Sequence, residues 1–257
     1  MNIRIDGVGV GIRTNDPSFL AILNDRFSGF VAPGPSDYEF DVEIGEPRNG
    51  DPDDDVRVYR RDGLWRIERG DFRAELDSRA RRGRIQQTAN PYSIDTLLRI
   101  VHTLALAPEG GLLMHAASVA WKGRTFVFAG KSGAGKTTLS RLAPPDVAVL
   151  SDEVSYVRRE GAGYAGYGTP FAGELARPGE NTSAPLEAIY LLRHGPANVV
   201  ETVAPAEAAR EILANTLFFA EEPELVKAVF HAALELAERV PVRRLSFVPD
   251  ARVWEVL

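Results

Sequence analysis

Phe126-Val-Phe-Ala-Gly-Lys-Ser-Gly-Ala-Gly-Lys-Thr-Thr138 runs from an apolar stretch through a glycine-rich turn into residues that can start a helix. Gly130, Gly135, Lys136 and Thr137 fit the spacing G-x-x-x-x-G-K-[ST], and residues 125–129 are the strand expected before it. Gly130, Lys131, Ser132, Gly133, Ala134, Gly135, Lys136, Thr137 and Thr138 therefore form the candidate nucleotide-binding set. Small residues in such a loop let successive backbone N–H groups turn inward around a phosphate. Lys136 is expected to reach the β- and γ-phosphates, and the Thr137 hydroxyl to bind Mg²⁺. A helix starting near Lys136 would add its positive end. A glycine-rich surface turn has the same composition; strand before and helix after distinguish the phosphate loop. The expectation is a chain that binds a nucleotide triphosphate.

Downstream, the apolar residues 147–150 read as a buried strand ending at Ser151-Asp152-Glu153. A carboxylate at the C-terminal end of a buried strand beside a phosphate loop is where a metal ligand or a base belongs. Asp152 comes only sixteen positions after Lys136, a shorter gap than most large ATPases have. A polar pair simply ending a strand gives the same local pattern. Upstream, residues 112–121 and 124–129 form two apolar strands across the turn Lys122-Gly123, and His115 lies in the first of them. Taken alone, His115 reads as a strand histidine satisfied by backbone. His102, His194 and His231 show no ligand spacing and are expected to be structural or exposed.

Farther out, residues 90–107 change to a helical period, with Ile94, Leu97, Leu98, Val101 and Leu104 on one face, Asn90 as N-cap and Pro91 as first helical residue. Residues 1–90 read as a mostly β-rich region. Tyr38-Glu-Phe-Asp-Val-Glu-Ile44 alternates cleanly, and residues 56–60 and 64–67 flank a hairpin turn at Arg61-Asp62-Gly63. Asp51-Pro-Asp-Asp-Asp55 is expected to be a solvated loop rather than a metal site. The Arg79-Ala-Arg-Arg-Gly-Arg84 cluster is expected to be a charged edge that discourages strand pairing, with attraction of an acidic partner as the other reading. After the loop, residues 154–158 and 164–167 form a hairpin and residues 186–193 a buried strand. Helices are expected over 205–220 and 223–240, then a strand over 245–248 and a final turn capped by Asp250. The segment Gly166–Thr182 reads as a loop on the substrate side, where Glu174 and Arg177 can contact metal, phosphate or acceptor; a plain surface loop is equally compatible.

The chain has 257 residues, 44% hydrophobic and 26% charged, with a net charge of −6, which argues against a general nucleic-acid binder. It has no cysteine, so disulfides and thiolate metal sites are excluded. Met1-Asn-Ile-Arg-Ile-Asp6 lacks the basic and apolar segments of a secretory signal, and no apolar run is long enough to cross a bilayer. A cytoplasmic protein without nucleic-acid or membrane partners is expected.

The run Leu113-Met-His115-Ala-Ala-Ser118, the loop at residues 128–138, and Leu150-Ser-Asp152-Glu153-Val154 together resemble the HPr kinase/phosphorylase superfamily, related to phosphoenolpyruvate carboxykinase at the nucleotide site. The resemblance covers about residues 92–257 and is closest to HPr-kinase-related bacterial proteins. It implies an α/β fold: a P-loop kinase core over residues 91–257, preceded by the β-rich region 1–90. By that resemblance, His115 matches a histidine near the transferred phosphate. Lys136 and Thr137 match the phosphate lysine and the metal-binding hydroxyl residue, and Asp152 the proton acceptor. Glu153 stands where the family usually has a second Asp, and is a candidate Mg²⁺ ligand with Asp152 and Thr137. Lys131 either points to solvent or touches the acceptor.

The resemblance implies an ATP-dependent kinase using Mg²⁺, with Asp152, His115 and Lys136 as catalytic residues. The acceptor would be a hydroxyl, on a Ser or Thr of a peptide or protein or on a small molecule. A nucleotide hydrolase, or an ATP-gated binding module without an acceptor, stays open. Oligomers occur in that family, so a homo-oligomer is compatible with it. The C-terminal signature through which the sugar-regulatory members engage HPr is missing, so neither HPr as substrate nor the reverse reaction is expected to carry over.

Overall fold

In Phe72–Asp77 every second side chain is buried, the period a strand shows when one face of its sheet is covered. That pattern recurs in Tyr38–Ile44 and Leu64–Arg69 of a seven-stranded sheet. Its strands are β1 (Asn2–Ile5), β2 (Val8–Thr14), β3 (Tyr38–Ile44), β4 (Arg57–Arg61), β5 (Leu64–Arg69), β6 (Phe72–Asp77) and β7 (Arg82–Gln87), in the order β1-β2-β3-β7-β6-β5-β4. The computed structural model describes residues 1–45 and 54–257. Asp51–Asp53 of the acidic run thus lie outside the described residues, while Asp54 and Asp55 are exposed. This sheet belongs to a first unit of residues 1–104 and 218–226; residues 105–217 and 227–257 make a second. The helix α2 (Pro91–Leu106) carries the chain from the first into the second.

The first unit is β-rich, as expected, with one helix that the sequence reading did not single out, and one expectation for it needs correction. α1 (Pro17–Arg26) makes the crossover that parallel β2 and β3 require. Its start is set by Asp16, whose side chain accepts from the Phe19 N–H at 2.9 Å, and by Pro17. Only Phe19 and Leu23 are buried along it, too sparse a stripe to show as a helical period. The expectation that the arginine cluster forms a charged edge is the one overturned. Arg82 and Arg84 lie on β7, paired with β3 on one side and β6 on the other. Their side chains stay on the exposed face, where Arg82 meets Glu39 at 3.3 Å, so the strand is interior while its charges are wet.

The second unit is built on β8 (Leu112–Trp121), β9 (Arg124–Ala129), β10 (Ala148–Ser151), β11 (Val154–Glu160), β12 (Gly163–Tyr167), β13 (Ser183–His194), β14 (Val199–Thr202) and β15 (Val242–Phe247). Continuous apolar runs such as Phe126–Ala129 and Ala188–Leu192 belong to parallel neighbours, since β9 and β15 both run parallel to β13. Pairing closes on itself. β8 meets β9 along its C-terminal half and β11 along its N-terminal half, while β13 meets β9 and β12, and β12 meets β11.

Beside this sheet lie α3 (Lys136–Arg141), α4 (Pro205–Ala214) and α5 (Pro223–Arg239), the last beginning in the segment assigned to the first unit. α4 stops at the Asn215 cap, short of the expected residue 220, because residues 216 and 217 turn to bond β8. Thr216 bridges to Met114, and the Leu217 N–H donates to the Leu113 carbonyl at 2.8 Å. The core gathers Phe126, Phe128, Leu139, Tyr190, Leu245, Phe247 and Trp254, with Phe128 stacked on Tyr190 at 5.7 Å. No helix among the described residues is long and apolar enough to cross a membrane.

Candidate functional site

One strand brings the predicted residues together. On β8, Ala116 lies opposite Ala129, the last residue of β9, so the loop beginning at Gly130 leaves the sheet beside His115. On its other side, β8 pairs Ser118 with Ser151 and His115 with Val154, which leaves Asp152 and Glu153 in the irregular step between β10 and β11. The Ala116 N–H donates to the Glu153 carbonyl at 3.0 Å and fixes that step. Three segments, from β8, the loop after β9 and the step between β10 and β11, thereby open on one pocket of about 520 Å³. Of the expected residues, His115, Ser132, Gly133, Gly135, Lys136, Thr137, Thr138, Asp152, Glu153 and Glu174 line it. Gly130, Lys131, Ala134 and Arg177 do not; Lys131 and Arg177 are exposed.

The loop between β9 and α3 is tightly held. Gly135, the α3 N-cap, has φ of +103°, and a Cβ there would lie 2.5 Å from Cζ of Phe247. Only glycine suits both demands. Lys136 is 8% exposed and folds back so that its Nζ donates to the Gly130 carbonyl at 2.8 Å and the Lys131 carbonyl at 3.3 Å. Burial lowers its pKa, while the charges of Glu174 and Glu153 act the other way.

The opposite wall is the segment 168–182. Its Thr169 N–H donates to the Leu150 carbonyl and its Glu180 N–H to the Val149 carbonyl, so it lies against β10. Asp152, 5% exposed, holds its middle: Oδ1 accepts from the Gly173 N–H at 2.9 Å and Oδ2 from the Leu175 N–H at 2.8 Å. Each carboxylate oxygen keeps a further lone pair for another donor. Glu174 projects from this wall and is exposed.

Among the described residues, no three His, Cys, Asp or Glu side chains converge as a metal cluster. The oxygen donors that do meet in the pocket, the Thr137 hydroxyl and the Glu153 and Asp152 carboxylates, suit a hard cation such as Mg²⁺. That ion commonly takes one or two protein oxygens and completes its shell with water and phosphate.

His194 is exposed, as expected, and it also lines the pocket, a place the sequence reading did not assign to it. It ends β13, and its Nε2 lies 2.7 Å from the Gly133 carbonyl. The strand-end rule that singled out Asp152 after residues 147–150 would have found His194 after residues 186–193. Ala172 and Gly173 also line the pocket and were not singled out.

Fold and site define a mixed α/β protein of two sheets, with a glycine-rich loop, a buried lysine and an acidic pair around one polar pocket. The model of a family described as "ScmC: SynChlorMet cassette protein ScmC" matches residues 84–257, more than half of the chain. The chain belongs to that family. No curated protein matches it.

Proposed function

We propose that the second unit is a P-loop kinase core of the HPr kinase type, transferring the γ-phosphate of ATP to a hydroxyl. The observation that carries this reading is the convergence of His115, Lys136, Thr137, Asp152 and Glu153 from three segments on one pocket. The loop and Lys136 would take the triphosphate, with Thr137 and Glu153 holding Mg²⁺. When bound, Mg²⁺ supplies positive charge against that developing on the γ-phosphate. Asp152 would accept the hydroxyl proton as the acceptor oxygen bonds to the γ-phosphorus. The bond to the β–γ bridging oxygen breaks, and ADP leaves with that electron pair. His115 would position the transferred group. Such catalysis rests on placement and electrostatics, so no covalent enzyme intermediate is needed.

The family is described by a cassette, so the products of genes neighbouring this one are the first acceptors to try. Incubation with ATP labelled at the γ-phosphate should label one of them; ADP release with no labelled acceptor would point to hydrolysis. A second reading, ATP-gated binding without transfer, has its own support. Both charged tips of the site, Lys136 and Asp152, are engaged by backbone. Under that reading ATP raises the melting temperature and is not consumed.

A further inference from the structure

We infer that His194 is a positioning residue for the Gly130–Thr137 loop, locking the Gly133–Ala134 peptide and through it the conformation of the loop. This rests on the reading of that loop as a nucleotide site. To bond a carbonyl, Nε2 of His194 must carry the proton, so the imidazole donates to Gly133 at 2.7 Å. The other end of the same peptide is tied as well. The Ala134 N–H donates to the Lys131 carbonyl at 3.0 Å, and that carbonyl also accepts from Nζ of Lys136. His194, the Gly133–Ala134 peptide, Lys131 and Lys136 thus form one connected chain of hydrogen bonds ending on the lysine expected to meet the phosphates.

The peptide needs such a tie. Gly133 has φ of +77°, and a Cβ there would meet nothing within 4 Å, so neither a side chain nor packing against it restrains rotation. Held only at its Ala134 N–H, the peptide could tilt its carbonyl toward an anionic ligand and replace attraction with repulsion. His194 is itself braced. Its ring stacks on Phe247 with centroids 6.0 Å apart, and Phe247 is the same ring that presses on Gly135. One aromatic from β15 therefore supports both the histidine and the second half of the loop.

The test compares wild type, His194→Phe, which keeps a ring over Phe247 but has no donor, and His194→Gln, whose amide restores one. Two quantities are read: amide hydrogen exchange over residues 130–138 without nucleotide, and affinity for a non-hydrolysable ATP analogue with Mg²⁺. Loss of one neutral hydrogen bond corresponds to about a fivefold change in each. His194→Phe should exchange faster and bind about fivefold more weakly, and His194→Gln should return both to within about twofold of wild type. Because His194 is exposed, the melting temperatures of the nucleotide-free proteins should agree. Unchanged exchange and affinity in His194→Phe overturn the inference, as does failure of His194→Gln to restore them, or a fall in melting temperature that parallels the loss. Wild-type protein that binds no nucleotide instead overturns the functional reading, and this inference with it.

Discussion

The two sheets of this protein announce themselves differently. The first alternates apolar and polar residues along β3 and β6, so each strand states which face is covered. The second contains runs buried on both faces, such as Phe126–Ala129 in β9 and Ala188–Leu192 in β13, which state only that a strand is interior. Yet the candidate site lies in the second. A strand buried on both faces most readily presents polar groups where it ends, and His194 and the Asp152-Glu153 pair sit at strand ends, while His115 is reached inside β8 where that strand changes partner. The alternating sheet spreads its charges along its length instead, as with Arg82 beside Glu39.

The sharpest way to break this contrast is to alter a strand-end charge. Asp152→Asn should lower phosphotransfer by about 10²- to 10⁴-fold, the usual worth of a general base, with ATP affinity nearly unchanged. Lys136→Ala should impair both. Because Asp152 also holds Gly173 and Leu175, its variant should become more sensitive to limited proteolysis within residues 168–180. Full transfer by Asp152→Asn would remove the base assignment, and proteolysis alone would then report its hold on that wall.

Next in size is a pH effect in the first unit. His102 is fully buried, and that burial pushes its imidazole down to about 4 from the ordinary 6.5, with the charge of Asp37 opposing. The folded state therefore resists a proton that the unfolded chain accepts. The stability from keeping it neutral is complete above pH 6.5 and is lost as pH falls toward 4, to a total of about 3 kcal/mol. Urea unfolding at pH 7 and at pH 4.5 should show this loss in wild type and a smaller one in His102→Leu. Equal losses in the two proteins would mean that carboxylates alone set the acid limit.

A smaller effect tests the alternating sheet itself. On β7, Gly83 faces Phe40 of β3, and a Cβ there would lie 2.2 Å from Cε1 of that ring and 2.6 Å from the Glu75 carbonyl. Gly83→Ala should cost about 2 kcal/mol, within the usual range for overpacking. Denaturant unfolding gives the value; a neutral result would show that the Phe40 ring moves freely aside.

How much of this was legible follows from the same contrast. The strands 112–121, 124–129 and 186–193, the Asn90 cap and the loop spacing could be read directly, because each depends on residues close in sequence. The Asn90 side chain does accept from the Tyr92 N–H at 3.0 Å. Pairing could not be read. That β7 is interior depends on β3 and β6 flanking it, and that β8 changes partner at residues 115–116 depends on β9 and β11. The candidate site was legible where a motif marked it, at Lys136 and Thr137. His194 could have been read from its place at the end of an apolar run, whereas Gly173 is marked only by three-dimensional adjacency to Asp152.

The smallest expected effect compares two helix starts. α1 has a side-chain cap, Asp16 accepting from the Phe19 N–H, whereas α3 begins at Gly135 with no side-chain cap bond. The first N–H groups of any helix lack partners within it, so a cap completes α1 and its lack leaves the first turn of α3 able to bond a ligand. Asp16→Ala should cost about 1 kcal/mol, lower the melting temperature by a few degrees at most, and leave nucleotide affinity untouched. The informative complement is the ligand itself. If ATP serves as the missing cap of α3, its addition should slow hydrogen exchange at Thr137 and Thr138 while leaving residues 17–20 unchanged. Equal protection at both helices would mean that the nucleotide stabilises the protein generally and does not fill the uncapped end.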